Sequence, residues 1–192
     1  MTAAVTAITG GIGAGKSVVS RILRAMGHEV YDSDSEARRL MDADPAIHAA
    51  LCRDIHPVAV VDGRIDRPLI SSVVFADEAA LARLNSIVHS RVTADFAARA
   101  AACRDGRIFI ETAILDTCAP LHPLIGEIWE VTAPEELRIA RVQRRSGLSA
   151  AQVRSRIDAQ HTPPAAALAA IPRHAIINDG AAPLLPQLHA LL

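Results

Sequence analysis

The sequence lacks an excess of charge of either sign. Its 192 residues carry 20 Lys and Arg against 21 Asp and Glu, for a net charge of −1. A protein that coats nucleic acid is clearly basic, so this balance argues against that class. Long apolar runs are also absent, since Gly or Pro interrupts the longest uncharged stretches, and a membrane helix needs about 18 apolar residues in a row. We therefore expect no nucleic-acid partner and no membrane span.

Cysteine is scarce, and no basic start precedes the first apolar run. The three cysteines, Cys52, Cys103 and Cys118, are odd in number, widely spaced and form no CxxC pair. This pattern fits neither a disulfide framework nor a cysteine-based zinc site, and the missing basic start argues against a signal peptide. We therefore expect a protein of the reducing cytoplasm. The sequence does not distinguish a monomer from a small homo-oligomer.

Lysine is nearly missing. The chain holds 19 arginines but a single lysine, Lys16. Arginine is a planar fork, whereas lysine is a slim point charge that reaches into a tight loop. Either Lys16 survives by chance, or it stands where arginine fails, and the spacing of its neighbours decides between the two.

The residues around Lys16 match the P-loop pattern over Gly10–Ser17. The pattern at residues 4–9 predicts a strand before the loop, and that at residues 18–26 predicts a helix after it. Glycine allows successive N–H groups to turn inward toward phosphate, and the helix N-terminus adds partial positive charge. Lys16 would bridge the β- and γ-phosphates of a nucleoside triphosphate, and the Ser17 hydroxyl would bind Mg²⁺.

The alternative for this segment is a glycine-rich turn that binds nothing. The flanking strand and helix, together with the lone lysine, favour a nucleotide loop. We therefore expect a nucleoside triphosphate to contact the loop residues Gly11, Ile12, Gly13, Ala14, Gly15, Lys16, Ser17 and Val18.

Alternating strand and helix patterns predict an α/β fold of the three-layer P-loop NTPase type. Strands are expected at 4–9, 28–31, 107–111, 128–132 and 174–178, and helices at 47–53, 77–103, 149–160 and from the last turn to Leu192. This order predicts a five-stranded parallel sheet that binds its ligand at the carboxyl ends of the strands. We expect one domain, with a core at about 1–34, 104–134 and 170–192, a helical substrate-binding insertion at about 35–103 and a small helical lid at about 135–169.

Two further features narrow the class of P-loop protein. Asp34 follows the second predicted strand, where it either takes the proton of an acceptor hydroxyl or caps a helix. Arg138, Arg141 and Arg145 share one predicted helix face, which forms either a mobile lid over the transferred phosphoryl group or a solvated surface.

Taken in order, these segments resemble the dephospho-coenzyme A kinase family from about residue 5 to residue 190. Thr9–Ser17 resembles the family's TGGIGSGKS opening, and residues 30–38 resemble its D-x-D…A-R segment. Asn85–His89 is similar to its N…H-P segment, residues 141–160 to its R…R-x-G-L-S…R-I…Q lid, and residues 175–180 to its closing V-I-x-N-x-G. The P-loop alone is generic, whereas the combination is specific.

The resemblance implies transfer of the γ-phosphoryl group of ATP to the ribose 3′-hydroxyl of dephospho-CoA, the last step of coenzyme A synthesis. It implies that Asp34 is the catalytic base, with Lys16 and Arg141 acting on the phosphates. The further contacts that it implies are Arg145, Asn178 and Gly180 toward ATP, and Asp34, Arg38, His89 and Arg91 toward dephospho-CoA. Taken alone, a histidine within a helix is more often structural.

Several positions depart from the family pattern. Val18 stands where Thr is common, Ser90 where Pro usually follows His89, and Thr112 and Asp116 where Pro and Glu are common. These departures bear on substrate contacts more than on the type of reaction. Two alternatives stay open, namely another nucleotide or nucleoside kinase and an ATPase switch that acts on a protein partner. A conventional GTPase is disfavoured, because its Asn-Lys-x-Asp segment needs a second lysine.

Overall fold

The computed structural model describes residues 3–160 and 163–192. The chain divides into two compact units, one formed by residues up to Tyr31 together with those from Ala100 onward, and the other by residues 32–99. None of the helices in the described ranges is both long and apolar enough to cross a bilayer. The first unit carries the nucleotide loop, and the second is largely helical.

The first unit is built on a five-stranded sheet. The strands of the described chain are β1 (Ala4–Thr9), β2 (Val30–Asp32), β3 (Val60–Val61), β4 (Arg64–Ile65), β5 (Arg107–Glu111), β6 (Glu127–Thr132) and β7 (Arg173–Ile177). The order across the sheet is β2-β5-β1-β6-β7; β1 runs parallel to β5 and to β6, and β6 runs parallel to β7. The predicted five-stranded parallel sheet and its α/β class are confirmed.

Helices fill the connections between these strands. They are α1 (Lys16–Ala25), α2 (Ser33–Ala43), α3 (Pro45–Asp54), α4 (Arg67–Ala76), α5 (Glu78–Ala102), α6 (Glu135–Ser146), α7 (Ala150–Ala159) and α8 (Leu184–His189), with short 3-10 turns at Leu115–Thr117, Ala119–Leu124 and Ala166–Leu168. Such crossovers join parallel strands, because a parallel strand cannot be reached by a tight hairpin. The first helix, α1, follows the central strand β1 after the glycine-rich loop of residues 10–15.

One face of the sheet packs against α1. The fully buried side chains of Ile8, Phe109 and Trp129 belong to one apolar cluster with Val19 and Leu23 of α1. The rings of Phe109 and Trp129 lie 5.1 Å apart between centroids. Burial of such large side chains stabilises by roughly 1.5–3 kcal/mol each, which fixes α1, and with it the end of the loop, on the sheet.

Aspartates begin the helices of the second unit. Asp32, Asp44 and Asp66 accept backbone N–H groups at the starts of α2, α3 and α4. Between these helices and α5, the carboxylates of Glu36 and Asp95 pair with arginines, as in the 3.0 Å bond from Arg99 to Glu36. This unit is therefore ordered by side-chain caps and ion pairs in addition to its apolar residues.

The structure differs from the sequence-based predictions at five places. Asp34 is not the cap of α2; Asp32 caps that helix, because β2 ends one residue before the helix begins. The sequence patterns did not indicate α4, although Asp66 and the proline after it are start signals. They also did not indicate strands β3 and β4, which pair on either side of Asp62. Strand β2 begins at Val30 instead of residue 28, and α8 ends at His189 instead of running to Leu192.

Candidate active site

The loop between β1 and α1 has the backbone that its glycines were expected to allow. Gly10, Gly13 and Gly15 have φ angles of 139°, 77° and 102°, in a region that L side chains rarely adopt. The chain reverses within this loop, so that Lys16 and Ser17 fall in the first turn of α1. The N–H groups at the start of an α-helix point out of its N-terminus, toward any group bound there.

The N-terminus of α1 carries no protein cap. Gly15 occupies the cap position, and among the described residues no side chain bonds there and no acidic residue lies in the first turn. By contrast, Asp32, Asp44, Asp66 and Ser149 cap the starts of α2, α3, α4 and α7. A helix start that has no side-chain cap and no nearby carboxylate suits a phosphate anion. This end of the helix therefore fits the phosphates of a nucleotide.

Lys16 and its neighbours lie at the mouth of this loop. The Lys16 ammonium donates to the carbonyl oxygen of Gly10 at 2.6 Å and is half-buried. Ser17 is exposed, and the Val18 N–H donates to the Gly15 carbonyl at 2.9 Å. The lone lysine thus sits on the loop that its sequence context indicated, with its charge held close to the loop backbone.

Two side chains from α6 and the end of α7 bond to Ile12. The Arg138 Nε donates to the Ile12 carbonyl at 2.9 Å, and the Gln160 Oε1 accepts from the Ile12 N–H at 2.7 Å. Neither residue was among the predicted ATP contacts. Arg138 shared the predicted helix face with Arg141 and Arg145, so the period of the arginines was the signal that could have found it.

Arg141 and Asn178 bond to the next residues of the loop. Arg141 donates to the carbonyl oxygens of Gly13 and Ala14, both at 3.4 Å, and to the backbone oxygen of Asn178 at 3.0 Å. The buried side-chain amide of Asn178 donates to the Ala14 carbonyl at 2.8 Å. Residues from α6 and from the end of β7 thus meet at the loop. Arg145, one turn further along α6, is exposed and stays a prediction for ATP, as does the exposed Gly180.

The loop glycines are also required by their surroundings. A Cβ at Gly13 would lie 2.5 Å from the carbonyl oxygen of Arg138. A Cβ at Gly11 would collide with the Arg138 guanidinium, and one at Gly15 would collide with the Asn178 amide. The loop therefore has its shape both from its own torsions and from the residues packed behind it.

A cavity of about 340 Å³ borders this loop on the side of Gly10 and Gly11. Its wall includes the polar side chains of Arg138, Gln160 and Asp116. Within the described residues there is no cluster of three or more His, Cys, Asp or Glu that could hold a metal by itself. Mg²⁺ commonly binds through one or two protein ligands plus substrate phosphates, so the exposed Ser17 hydroxyl is a fitting single ligand.

Asp34 and Arg38 lie on the first turns of α2, and both are exposed. The neighbouring Asp32 carboxylate accepts from the Ser35 N–H at 3.1 Å and from the Ser35 hydroxyl at 2.9 Å. The two aspartates therefore differ in availability: the first is engaged in the cap, and the second presents its carboxylate to solvent.

His89 and Arg91 lie on α5. Burial lowers the pKa of the half-buried His89 imidazole, so the neutral form prevails at pH 7. The Arg91 Nε donates to Asp44 at 2.8 Å. Desolvation alone would raise the pKa of Asp44, but hydrogen bonds from the Ala46 N–H and from Arg91 outweigh it and hold the pKa below its ordinary value. Arg91, which was predicted to contact substrate, is thus already paired with Asp44 in this structure.

Comparison with known proteins covers nearly the whole chain. The family described as dephospho-CoA kinase matches residues 4–182. The dephospho-CoA kinase of Porphyromonas gingivalis is 37% identical over 180 residues, which are 94% of this chain and 88% of the relative. The dephospho-CoA kinase of Dechloromonas aromatica is 33% identical over 193 residues, spanning 100% of this chain and 92% of the relative. The match therefore includes the loop, the helical unit and α6–α7.

Solved structures agree in fold. The crystal structure of TT1252 from Thermus thermophilus has a TM-score of 0.78 at 32% identity and covers 100% of this chain and 97% of that one. A dephospho-CoA kinase from Campylobacter jejuni shares the fold at a TM-score of 0.63 and 20% identity, with 91% and 88% of the two chains covered. With its P-loop geometry and a family match from residue 4 to residue 182, the chain belongs to the dephospho-CoA kinase family.

Proposed function

We propose that this chain transfers the γ-phosphoryl group of ATP to the ribose 3′-hydroxyl of dephospho-CoA and so produces coenzyme A and ADP. The observation that carries the proposal is the family match over residues 4–182, which spans the nucleotide loop and the helical unit alike. A P-loop by itself supports only nucleotide binding, since many activities use that loop.

The loop would hold the triphosphate of ATP. Its inward N–H groups and the uncapped start of α1 supply donors, and Lys16 supplies a full positive charge near the transferred group. Phosphoryl transfer depends mainly on positioning and on stabilisation of charge at the moving group. The role of Lys16 is therefore electrostatic, and its charge acts most strongly when the site excludes water.

Asp34 would act as the general base. Its carboxylate is exposed, whereas that of Asp32 is committed to the cap of α2. As the 3′-oxygen forms its bond to the γ-phosphorus, the proton of that hydroxyl passes to Asp34, and the bond to the bridging oxygen of ADP breaks. A carboxylate without a competing intramolecular bond is the better acceptor for this proton.

Mg²⁺ would be held by the Ser17 hydroxyl together with the phosphates. When bound, it supplies charge neutralisation on the phosphate oxygens. The absence of a carboxylate from the first turn of α1 leaves room there for a phosphate-bound cation. Arg145 and Gly180 would add contacts to ATP.

Arg38, His89 and Arg91 would contact dephospho-CoA together with Asp34. Because burial lowers the pKa of His89, that ring would contribute a hydrogen bond instead of a charge. Arg38 is exposed and available for an anionic group such as the substrate pyrophosphate. Both substrates are small molecules. Because the three cysteines are widely spaced and suggest no disulfide framework, we infer that the protein works in the reducing cytoplasm.

The test is direct conversion of defined acceptors. The protein is incubated with ATP, Mg²⁺ and dephospho-CoA, and coenzyme A and ADP are quantified by chromatography. Equal amounts of the two products are expected, with adenosine, AMP and other nucleosides and nucleotides as much poorer acceptors. ADP without coenzyme A would indicate an ATPase. Faster turnover of another hydroxyl acceptor would show that this acceptor, and not dephospho-CoA, is the preferred substrate.

A further inference from the structure

The carbonyl side of the nucleotide loop is covered by three side chains. Arg138 bonds to the carbonyl of Ile12, Arg141 to those of Gly13 and Ala14, and Asn178 to that of Ala14. We call Arg138, Arg141 and Asn178 the carbonyl clamp. Three consecutive carbonyl groups of the loop are thus held from outside the loop.

Each of these carbonyl groups shares a rigid peptide plane with the next N–H group. The planes of Ile12 and Ala14 carry the N–H groups of Gly13 and Gly15, and in a trans peptide the N–H points opposite to the carbonyl. Fixing the carbonyl therefore fixes the direction of the N–H. Cationic and amide donors on the carbonyl oxygen also polarise the peptide and strengthen its N–H as a donor.

All four polar atoms of Asn178 form hydrogen bonds within the protein. Its backbone N–H donates to Thr132 at 2.8 Å, and its backbone oxygen accepts from Arg141 at 3.0 Å. Its amide nitrogen donates to Ala14 at 2.8 Å, and its amide oxygen accepts from Arg141 at 3.3 Å. The residue is 9% exposed. One amide N–H and one acceptor site of the amide oxygen are thus already engaged within the protein.

The glycines give an independent indication of the same arrangement. Added Cβ atoms at Gly11 and Gly13 would meet Arg138, and one at Gly15 would meet Asn178. Clamp side chains occupy the space that a Cβ would need at Gly11 and Gly15, and the backbone of Arg138 occupies it at Gly13. The loop and the clamp form one packed assembly.

We propose that Arg141 and Asn178 are positioning residues that act on ATP through the loop backbone, with Arg138 in the same layer. They orient the N–H groups toward the phosphates, instead of contacting the adenine or the transferred phosphoryl group. This proposal rests on the nucleotide binding proposed above and deepens it. It differs from the resemblance, which implies that Asn178 contacts ATP directly and that Arg141 acts on the phosphates.

Inorganic tripolyphosphate separates the two roles, because it has the phosphates of ATP but no base. Affinities of the full chain for ATP and for tripolyphosphate, both with Mg²⁺, are measured by titration calorimetry for wild type, Asn178→Ala and Arg141→Gln. We expect each variant to weaken both ligands by the same factor, about tenfold or more, so that the ratio of the two Kd values stays constant. A loss for ATP alone in Asn178→Ala would overturn the proposal and make Asn178 a base contact.

Two further variants distinguish positioning from direct phosphate contact by Arg141. Arg141→Lys keeps the charge but loses the fork that reaches several carbonyl groups, so we expect little rescue of either affinity. In the double variant with Asn178→Ala, the losses should be less than additive, since both residues act on the Ala14 carbonyl. Full rescue by lysine or strict additivity would contradict the clamp.

Matched controls lie close by. Arg144→Gln changes an exposed arginine on the same helix, and Gln187→Ala removes the side chain that bonds to Ile177 immediately before Asn178. Both should bind the two ligands within about twofold of wild type. Thermal unfolding is followed throughout; should Asn178→Ala fail to fold, Arg141→Gln and Arg141→Lys decide the question. A wild type that binds neither ligand would overturn nucleotide binding and the clamp together, whereas failure of dephospho-CoA as acceptor leaves the binding data unaffected.

Discussion

The nucleotide loop and the helical unit of residues 32–99 place their functional groups by different means. In the loop, the candidate groups are backbone N–H groups. Glycine torsions and side chains such as Asn178, which pack behind the loop, fix their positions. In the helical unit, the candidate groups are side chains at exposed or half-exposed positions, such as Asp34 and Arg38. The loop backbone is held by several contacts, whereas the helical unit presents candidate side chains to solvent.

This difference matches the two ligands of the proposed reaction. A triphosphate has a constant shape, and a preformed set of N–H donors would stabilise it without reorganisation. Under the proposed function, the acceptor would be recognised through side chains on helices that are held in place by caps and by ion pairs such as that between Arg91 and Asp44. Changes in the loop should therefore alter ATP binding, turnover and folding together, whereas changes in the helical unit should separate them.

The strongest effect is expected at Lys16. Lys16→Ala removes the one ammonium from the loop and should reduce kcat by about 10³, because its charge acts on the transferred phosphoryl group. Lys16→Arg should restore little, since the planar fork does not fit where the ammonium approaches the Gly10 carbonyl. Steady-state rates of ADP formation with dephospho-CoA measure both. Turnover near wild type in Lys16→Ala would remove Lys16 from the mechanism.

Asp34 should separate turnover from ATP binding. Asp34→Asn keeps the shape but cannot take a proton, so kcat should fall by about 10² while the KM for ATP changes little. Asp32→Asn is the matched control, because asparagine caps a helix as well as aspartate does, and it should keep kcat within a few-fold. If the main defect of Asp34→Asn lay in ATP affinity, Asp34 would be a binding residue instead of the base.

A comparison of Gly13 with Gly147 measures how much the packing behind the loop contributes to the free energy of unfolding. Both have left-handed backbones, at φ of 77° and 68°, but an added Cβ meets the Arg138 carbonyl only at Gly13, while nothing lies within 4 Å at Gly147. Gly147→Ala should cost about 1 kcal/mol of stability, and Gly13→Ala about 2–4 kcal/mol. Urea unfolding of both variants gives the difference. Equal losses would mean that torsion alone, without the packing, sets the shape of the loop.

The smallest effect concerns acid stability in the helical unit. The pKa of Asp44 is lowered on folding, so its contribution is complete above the ordinary aspartate pKa of about 3.9 and is lost as the pH falls through the lower, folded value. Asp44→Ala should therefore lower the free energy of unfolding by about 1 kcal/mol at pH 7, through loss of the α3 cap and of the Arg91 pair. The gap between wild type and variant should close in acid. A gap that widened as the pH fell would contradict the sign of this shift.

Local patterns were enough to predict the loop, the sheet and several helix ends. The P-loop with its flanking strand and helix, the strand at residues 107–111 and the helix predicted at 149–160 depend on neighbours within a few residues, and the structure has each of them, the last as α7. Asp32 and Asp34 show the limit of such reasoning. Both are good caps in sequence, and the point at which β2 ends decided between them.

The layer behind the loop was out of reach for the sequence alone. Asn178 and Ala14 are 164 residues apart, and no spacing rule links an asparagine after the last strand to a carbonyl after the first. The arginines of α6 were visible as a periodic face, yet period alone does not tell which of them contact the backbone. Whether Asp34 and the other substrate residues act as proposed stays a prediction until the variants are measured.

The single tryptophan of the chain has a practical consequence. Trp129 is fully buried beside Phe109, in the cluster that also contains Ala14 of the loop. Its ultraviolet emission therefore originates from one known position behind the nucleotide loop, without any dye or engineered label. Stopped-flow fluorescence on the unmodified chain can time the response of that interior to an arriving nucleotide, and the same signal serves every variant that leaves Trp129 in place.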